Sequence, residues 1–299
     1  MEWVFDIGRS WLTTAKWIAG LGIAFGILAR LMPCNPGMYW WKDVRGLVTD
    51  FIYWFIMPLF LSQARIALLI VGLALLYGGG EPECLPVKSW PLWLQCVVIL
   101  LIQDVMLYWI HRVFHSRIAW KFHAVHHSPK VLDWMSTMRT HPVNYILEFT
   151  LADVVILLLG FAPAALMLLA AFNTVYSSMV HANLNWTFGP LRYVLASPVF
   201  HRWHHTTQEA GLDKNFASTF PFLDIVFGTF YMPPGKLPEQ FGISDADFPE
   251  DFLGQLVYPL RTSNARTSNA RTPNARTPNA PSPRPAEEPA AHRQRRRAA

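Results

Sequence analysis

Residues 92–127 run LWLQCVVILLIQDVMLYWIHRVFHSRIAWKFHAVHH, and the join in the middle of that stretch decides the architecture. Leu92–Ile110 is an apolar run of nineteen residues. As a helix it spans about 28 Å, against a bilayer hydrocarbon core of about 30 Å. Directly beyond it stand His111 and His115, then His123, His126 and His127. A membrane-spanning helix therefore delivers imidazoles to the bilayer boundary. Counted back along one helical face, Asp104, Tyr108, His111 and His115 form a continuous polar stripe on an otherwise apolar helix. A carboxylate buried there needs a partner, and an imidazole N–H is the natural one. Asp104 and Tyr108 are accordingly expected to support the histidines from behind.

Three further apolar stretches surround this span. Trp17–Met32 has Lys16 and Arg30 placed to snorkel to opposite interfaces. Leu47–Leu76 is interrupted by Asp50, Pro58, Gln63 and Arg65, which suits one span plus an interfacial helix or two short, broken spans. Ile146–Val180 has Gly160 and Pro163 near its middle and is expected to form a helical hairpin, or one span followed by a kinked helix. The expected fold is an all-α integral membrane protein with about four transmembrane helices, up to six, and a cytoplasmic histidine-rich cap holding a dimetal site. Gly20, Gly22 and Gly26 superficially match a dinucleotide fingerprint but sit inside an apolar span, where close helix packing is the expected use. The N-terminus lacks a small-residue cleavage pattern and is expected to be retained.

Composition agrees. Of 299 residues, 52% are hydrophobic and 15% charged, where soluble domains carry about 25% charged residues. The overall +5 charge misleads, because nine Arg and two Glu put +7 in residues 261–299 and leave −2 in residues 1–260. A nucleic-acid partner is excluded for the folded part. Cys34, Cys84 and Cys96 have no paired spacing and indicate neither disulfides nor a thiolate metal site. The tail repeats RTSNA twice and RTPNA twice, then becomes rich in Pro and Arg. With little to bury it is expected to be disordered and, being basic, cytoplasmic. The expected organisation is N-terminal membrane helices in 1–90, a histidine-box catalytic domain in 91–235, a C-terminal extension in 236–260 and the repeat tail in 261–299.

Ten of the eleven histidines fall between residues 111 and 205. Besides His111 and His115 there are two HxxHH copies, His123/His126/His127 and His201/His204/His205, whose spacing lets all three rings of a copy converge on one side of a helical turn. His181 follows Asn173 and Ser177 on one helical face, and His141 precedes Pro142. Imidazole is the commonest metal ligand, and eight to ten exceed what one ion can use. Two metal ions are the economical reading, with His111, His115, His123, His126, His127, His181, His201, His204 and His205 as ligands and His141 as a further one. The alternative for His141 is a turn residue bonded to Glu148 or to a neighbouring histidine. Asp104, Asp133, Glu148 and Asp224 are candidate partners behind the ligands. Imidazole alone does not select iron over zinc. No HExxH motif of a hydrolytic zinc site occurs, however, and a near-saturated all-nitrogen pair beside an apolar chamber suits redox chemistry.

The arrangement resembles the fatty acid hydroxylase and sterol desaturase superfamily of histidine-box membrane di-iron enzymes. The resemblance rests on DxxxYWxHRxxH at Asp104–His115, WKFHAVHHS at Trp120–Ser128, RTHP at Arg139–Pro142 and HAN at His181–Asn183. It continues through FGPLRYVLASP at Phe188–Pro198, FHRWHH at Phe200–His205, DKNF at Asp213–Phe216 and LDIVFGTFY at Leu223–Tyr231. It implies two iron ions held on the cytoplasmic side, where O2 is activated to hydroxylate or desaturate a C–H bond of a lipid or sterol-like substrate. Some members carry a further HxxxH where this chain has Ser177 and His181, a gap that His141 is expected to fill.

No nicotinamide, flavin, CxxC or HPGG haem module is visible, so electrons are expected from a separate donor protein, cytochrome b5-like or a ferredoxin with its reductase. The substrate is expected to arrive from the bilayer. Trp109, Trp120, Trp134, Trp186 and Trp203 lie near the boxes, and Arg112, Arg117, Lys121, Lys130, Arg139, Arg192 and Arg202 put positive charge on that side. The active site and tail are therefore expected to face the cytoplasm from a bacterial inner membrane or the endoplasmic reticulum. Two other readings compete. A membrane haem electron carrier needs single histidines facing each other across two spans, and a divalent-metal transporter or store needs polar ligands near the bilayer midplane.

Overall fold

In a computed structural model, residues 2–78 and 86–261 are described. The repeat tail expected at 261–299 lies outside them, apart from Arg261. The central helix, α3 (Leu92–Phe114), exposes Val97, Leu101, Val105 and Trp109 at four-residue intervals. Its other side buries Gln95, Gln103, Asp104 and His111. A helix apolar outside and polar inside is what a lipid solvent demands, because polar groups there must find partners within the protein. Gln95 shows how: its amide donates to the Trp90 carbonyl and accepts from Ala162 N–H, tying the start of α3 to a neighbouring turn.

α7 (Pro163–His181) packs against α3, while α1 (Glu2–Leu31) packs against both α7 and α2 (Val44–Tyr77). Among the described residues three helices are long and apolar enough to cross a membrane, Gly8–Leu31, Leu92–Phe114 and Pro163–His181, and Ile66–Tyr77 in α2 is a shorter apolar segment. α2 is one unbroken helix of 34 residues that passes through Pro58, so Leu47–Leu76 does not break into two. At about 51 Å it exceeds the hydrocarbon core, and its N-terminal half reaches into the cap. There Trp54 Nε1 donates to the Met135 carbonyl.

Ile146–Val180 does form a hairpin. α4 (Trp120–His127) belongs to the cap; after it α5 (Pro142–Tyr145), a π-helical turn (Ile146–Thr150) and α6 (Leu151–Leu158) make the first arm. Gly160, at φ 85°, turns the chain through the left-handed region open to glycine, and Pro163 opens α7 where its missing N–H costs nothing. α8 (Pro198–His204) is capped by Ser197, whose hydroxyl accepts from Phe200 N–H. Among the described residues there is no strand, only an isolated antiparallel bridge between Thr206 and Phe241.

Two arginines assigned above to the positive surface are core residues. Arg139 Nε donates to Asp50 Oδ1 at 2.7 Å in a buried ion pair that joins the cap to α2. Arg202 is fully buried and donates to the carbonyls of Leu132 and His181. Arg112, Arg117, Lys121 and Lys130 are exposed as expected. Of the tryptophans, Trp109 is exposed, whereas Trp134 and Trp203 are buried packing residues. Gly22 meets Trp134 closely, in line with a packing use, but Gly20 and Gly26 have open space beside them.

Candidate metal centre

Two short helices and two helix ends converge where the spans meet the cap. His111 and His115 come from the end of α3, His181 from the end of α7, and the two HxxHH copies from α4 and α8. They sort into two groups, His111/His115/His123/His127/His204 and His126/His181/His201/His205, and within each group the candidate ligand atoms lie within 4.8 Å of one another. Each copy is divided rather than convergent. In α4 the outer pair, His123 and His127, joins the five-membered group and His126 the other; in α8 the outer pair, His201 and His205, joins the four-membered group and His204 the other. Residues four apart stack on one face, while the residue between is turned toward the second centre.

The proton positions make the case for a cation. Six rings direct Nδ1 at an oxygen: His111 at Phe216 O (2.9 Å), His115 at Asp213 Oδ1 (3.0 Å), His123 at Asn144 Oδ1 (2.6 Å), His126 at Arg139 O (3.2 Å), His181 at Ser177 O (2.7 Å) and His204 at Lys214 O (2.8 Å). Carbonyl and carboxylate oxygens only accept, so in the neutral ring Nδ1 carries the proton and Nε2 a lone pair. Those lone pairs then face each other. Nε2 of His111, for one, lies 3.0 Å from that of His123. Without a cation between them such contacts repel. With metal–nitrogen bonds of about 2.1 Å, nitrogens so spaced subtend close to a right angle at one ion, and a five-imidazole set exceeds a tetrahedral shell. His115 Nε2 is buried without a hydrogen-bond partner, as a ligand atom would be. The residues fit a pair of metal ions.

Burial also keeps the rings neutral. Desolvation, reinforced by neighbouring imidazoles, pushes His123, His127, His201, His204 and His205 well below the usual histidine range. His126 is pushed down to about 4, chiefly by burial. A ring that resists protonation keeps its lone pair for a metal.

Four expectations are corrected by this geometry. His141 joins neither group: its Nδ1 accepts from Val143 N–H as the N-cap of α5, and its Nε2 faces the Leu256 carbonyl at 3.1 Å. Its ring is occupied as a cap, which leaves no nitrogen for a metal. Asp104 pairs with no imidazole; its carboxylate accepts the backbone N–H groups of Ser218, Thr219 and Phe220. Tyr108 reaches Thr229 Oγ1 at 2.8 Å instead of a histidine. Both act one step further out. With Asp224, which accepts from Phe216 and Ala217 N–H, they shape the loop whose Phe216 carbonyl holds His111. Asp133 caps the 3-10 turn that follows it and touches no ligand.

The direct partners that sequence reasoning missed are Asn144 and Asp213. Asp213 lies in the DKNF stretch, and Asn144 stands four residues before Glu148, so a helix brings the two together.

A cavity of about 220 Å³ opens from the metal groups along the spans. His111, His123, His126, His181 and His201 form its head, and Leu100 on α3 and Leu166 on α7 are among its deeper walls. Those two lie about 16 Å and 22 Å below His111 and His181, counted along their helices. The space suits a narrow apolar ligand lying between α3 and α7. Five and four grouped rings do not match the pair of facing single histidines that a haem carrier needs, and their origin at helix ends does not match a midplane transport site.

Residues 96–229 match the fatty acid hydroxylase family. The ornithine lipid hydroxylase OlsE of Rhizobium tropici is 31% identical over 172 residues, which cover 57% of this chain and 52% of that protein. Alkylglycerol monooxygenase of Danio rerio is 30% identical over 144 residues, 48% of this chain and 31% of that protein. Methylsterol monooxygenase 1-1 of Arabidopsis thaliana is 30% identical over 150 residues, 45% and 46% of the two chains. The chain thus spans about half the length, or less, of these relatives. No solved structure matches it.

Proposed function

From the match of residues 96–229 to the fatty acid hydroxylase family, we propose that the chain is an oxygen-dependent membrane di-iron oxidoreductase that hydroxylates or desaturates a C–H bond of a lipid or sterol-like substrate. The observation that carries this reading is the convergence of two histidine groups, with Nδ1–H turned outward on six rings, at the head of an apolar cavity between membrane helices. Relatives named for hydroxylation of an ornithine lipid and monooxygenation of alkylglycerols and methylsterols support a lipid substrate.

The nine grouped histidines would hold two iron ions, which when bound supply the redox chemistry for activating O2 toward a C–H bond. The protein does the rest. Fixed acceptors on Phe216, Asp213, Asn144, Arg139, Ser177 and Lys214 hold the rings in one orientation, so ligand reorganisation is small. The walls of the cavity keep water from the reacting carbon and align the chain beneath the metals. Electrons come from a separate donor, cytochrome b5-like or a ferredoxin with its reductase, which meets the cap on the cytoplasmic side.

Metal and product analysis tests the reading. Purified protein is expected to hold two irons per chain, and lipids of cells expressing it to gain a hydroxyl or a double bond only when oxygen is present. His126→Ala and His204→Ala each abolish that product without preventing membrane insertion. One ion per chain, or product formed without oxygen, overturns it.

A further inference from the structure

Glu148 stands out in the cavity. It is buried, at 5% exposure, and it sits on the π-helical turn Ile146–Thr150, the kind of interruption that recurs where a helix must re-aim a side chain at a functional site. Its Oε2 accepts from Asn144 Nδ2 at 2.5 Å, and Asn144 Oδ1 in turn faces His123 Nδ1 at 2.6 Å. That chain of two hydrogen bonds fixes the carboxyl beside the five-membered metal group. The other oxygen, Oε1, is buried and has no partner.

The remaining carboxylates that line the cavity are engaged. Asp104 takes three backbone N–H groups, and Asp153 accepts from Gln103 Nε2 at 2.8 Å. Thr137 and Tyr176 also point their hydroxyls away, to the carbonyls of Trp134 and Ala196. The cavity is also lined by the apolar side chains of Leu107, Met138, Phe149 and Ala152. An unanswered carboxyl oxygen in such surroundings is costly unless a ligand answers it.

We propose that Glu148 Oε1 binds a hydroxyl of the lipid substrate, so that the carbon attacked lies within a few bonds of that hydroxyl and the hydrocarbon remainder runs down between α3 and α7. A hydroxyl both donates and accepts, so it satisfies the carboxyl in either protonation state. The inference rests on the lipid-oxidising reading above and names its substrate class, a long-chain lipid bearing a hydroxyl near the oxidised carbon. Glu148 is a specificity-determining residue, distinct from the metal ligands.

The test measures binding on full-length protein loaded with zinc, so neither iron nor turnover enters the result. Hexadecanol and hexadecane each compete against tritiated hexadecanol in detergent. Wild type is expected to prefer the alcohol by about tenfold, the worth of one hydrogen bond to a charged or strongly polar group. Glu148→Leu abolishes that preference while hexadecane binding stays unchanged. Equal binding of the two probes by wild type, or a preference that survives in Glu148→Leu, overturns the proposal. A second measurement needs no variant: hexadecanol carrying a photoreactive diazirine at carbon 2 labels Met138 or residues 145–149 of wild type. Labelling confined to the deep end, around Leu100 and Leu166, overturns it equally. Two irons with oxygen-dependent product but no alcohol preference would defeat this inference alone, leaving the di-iron reading intact.

Discussion

The two histidine groups differ in number and in what holds them. The five-membered group hangs mainly on the loop after α8, His111 on Phe216 O, His204 on Lys214 O and His115 on the exposed Asp213, and through His123 on the buried Asn144 of α5. The four-membered group hangs on the core: His181 on the Ser177 carbonyl of its own helix and His126 on the carbonyl of Arg139, whose guanidinium is locked to Asp50 on α2. One centre has a ligand to spare and leans in part on an exposed acceptor. The other has no surplus ring and a support continuous with the membrane helices. Near-equivalent sequence copies therefore serve unequal sites.

Removing one ligand from each group gives the largest contrast. His201→Ala leaves three rings, and metal content is expected to fall from two ions to one with loss of turnover. His115→Ala leaves four, and both ions are expected to remain although turnover is lost. Metal analysis of the two purified variants decides; equal metal loss would erase the distinction between the groups.

Breaking the core support comes next. Arg139→Leu strands Asp50 as a buried, unpaired carboxylate, and loss of one partner of such a pair costs about 3–5 kcal/mol. The thermal midpoint of the detergent-solubilised protein should drop, and the four-membered group should lose metal first. Restoration of the midpoint by the double change Arg139→Leu, Asp50→Leu would confirm that the pair, rather than packing, is responsible.

The smallest effect is expected from pH on metal-free protein, where both groups respond alike. Burial holds His126 down to about 4 from the usual 6.5, so the folded form resists a proton that the unfolded chain accepts. Its stabilising contribution is present above pH 6.5 and is lost as pH falls from there through 4. Midpoints measured across that window should fall on acidification. A flat profile would mean that the buried rings are already charged in the fold, which would undo the lone-pair argument.

Much of this was legible before the structure. The apolar run ending at Ile110, the hairpin marked by Gly160 and Pro163, and the two HxxHH copies all follow from spacing along a helix, which is local. His141 was misassigned for a local reason too, because a histidine before proline can cap a helix with the same ring that could bind a metal. Asp104 and Tyr108 were correctly placed on the inner stripe, yet their partners are Ser218, Thr219, Phe220 and Thr229, more than a hundred residues away.

The amino-acid sequence by itself determined that helices bring a surplus of imidazoles to a membrane boundary, since periodicity and hydropathy are properties of neighbouring residues. Only the tertiary structure decided which ring belongs to which ion, which nitrogen keeps its proton and where Glu148 points. Those outcomes depend on acceptors such as Phe216, Lys214 and Asn144, brought to the rings by packing between distant segments, and no spacing rule encodes such meetings.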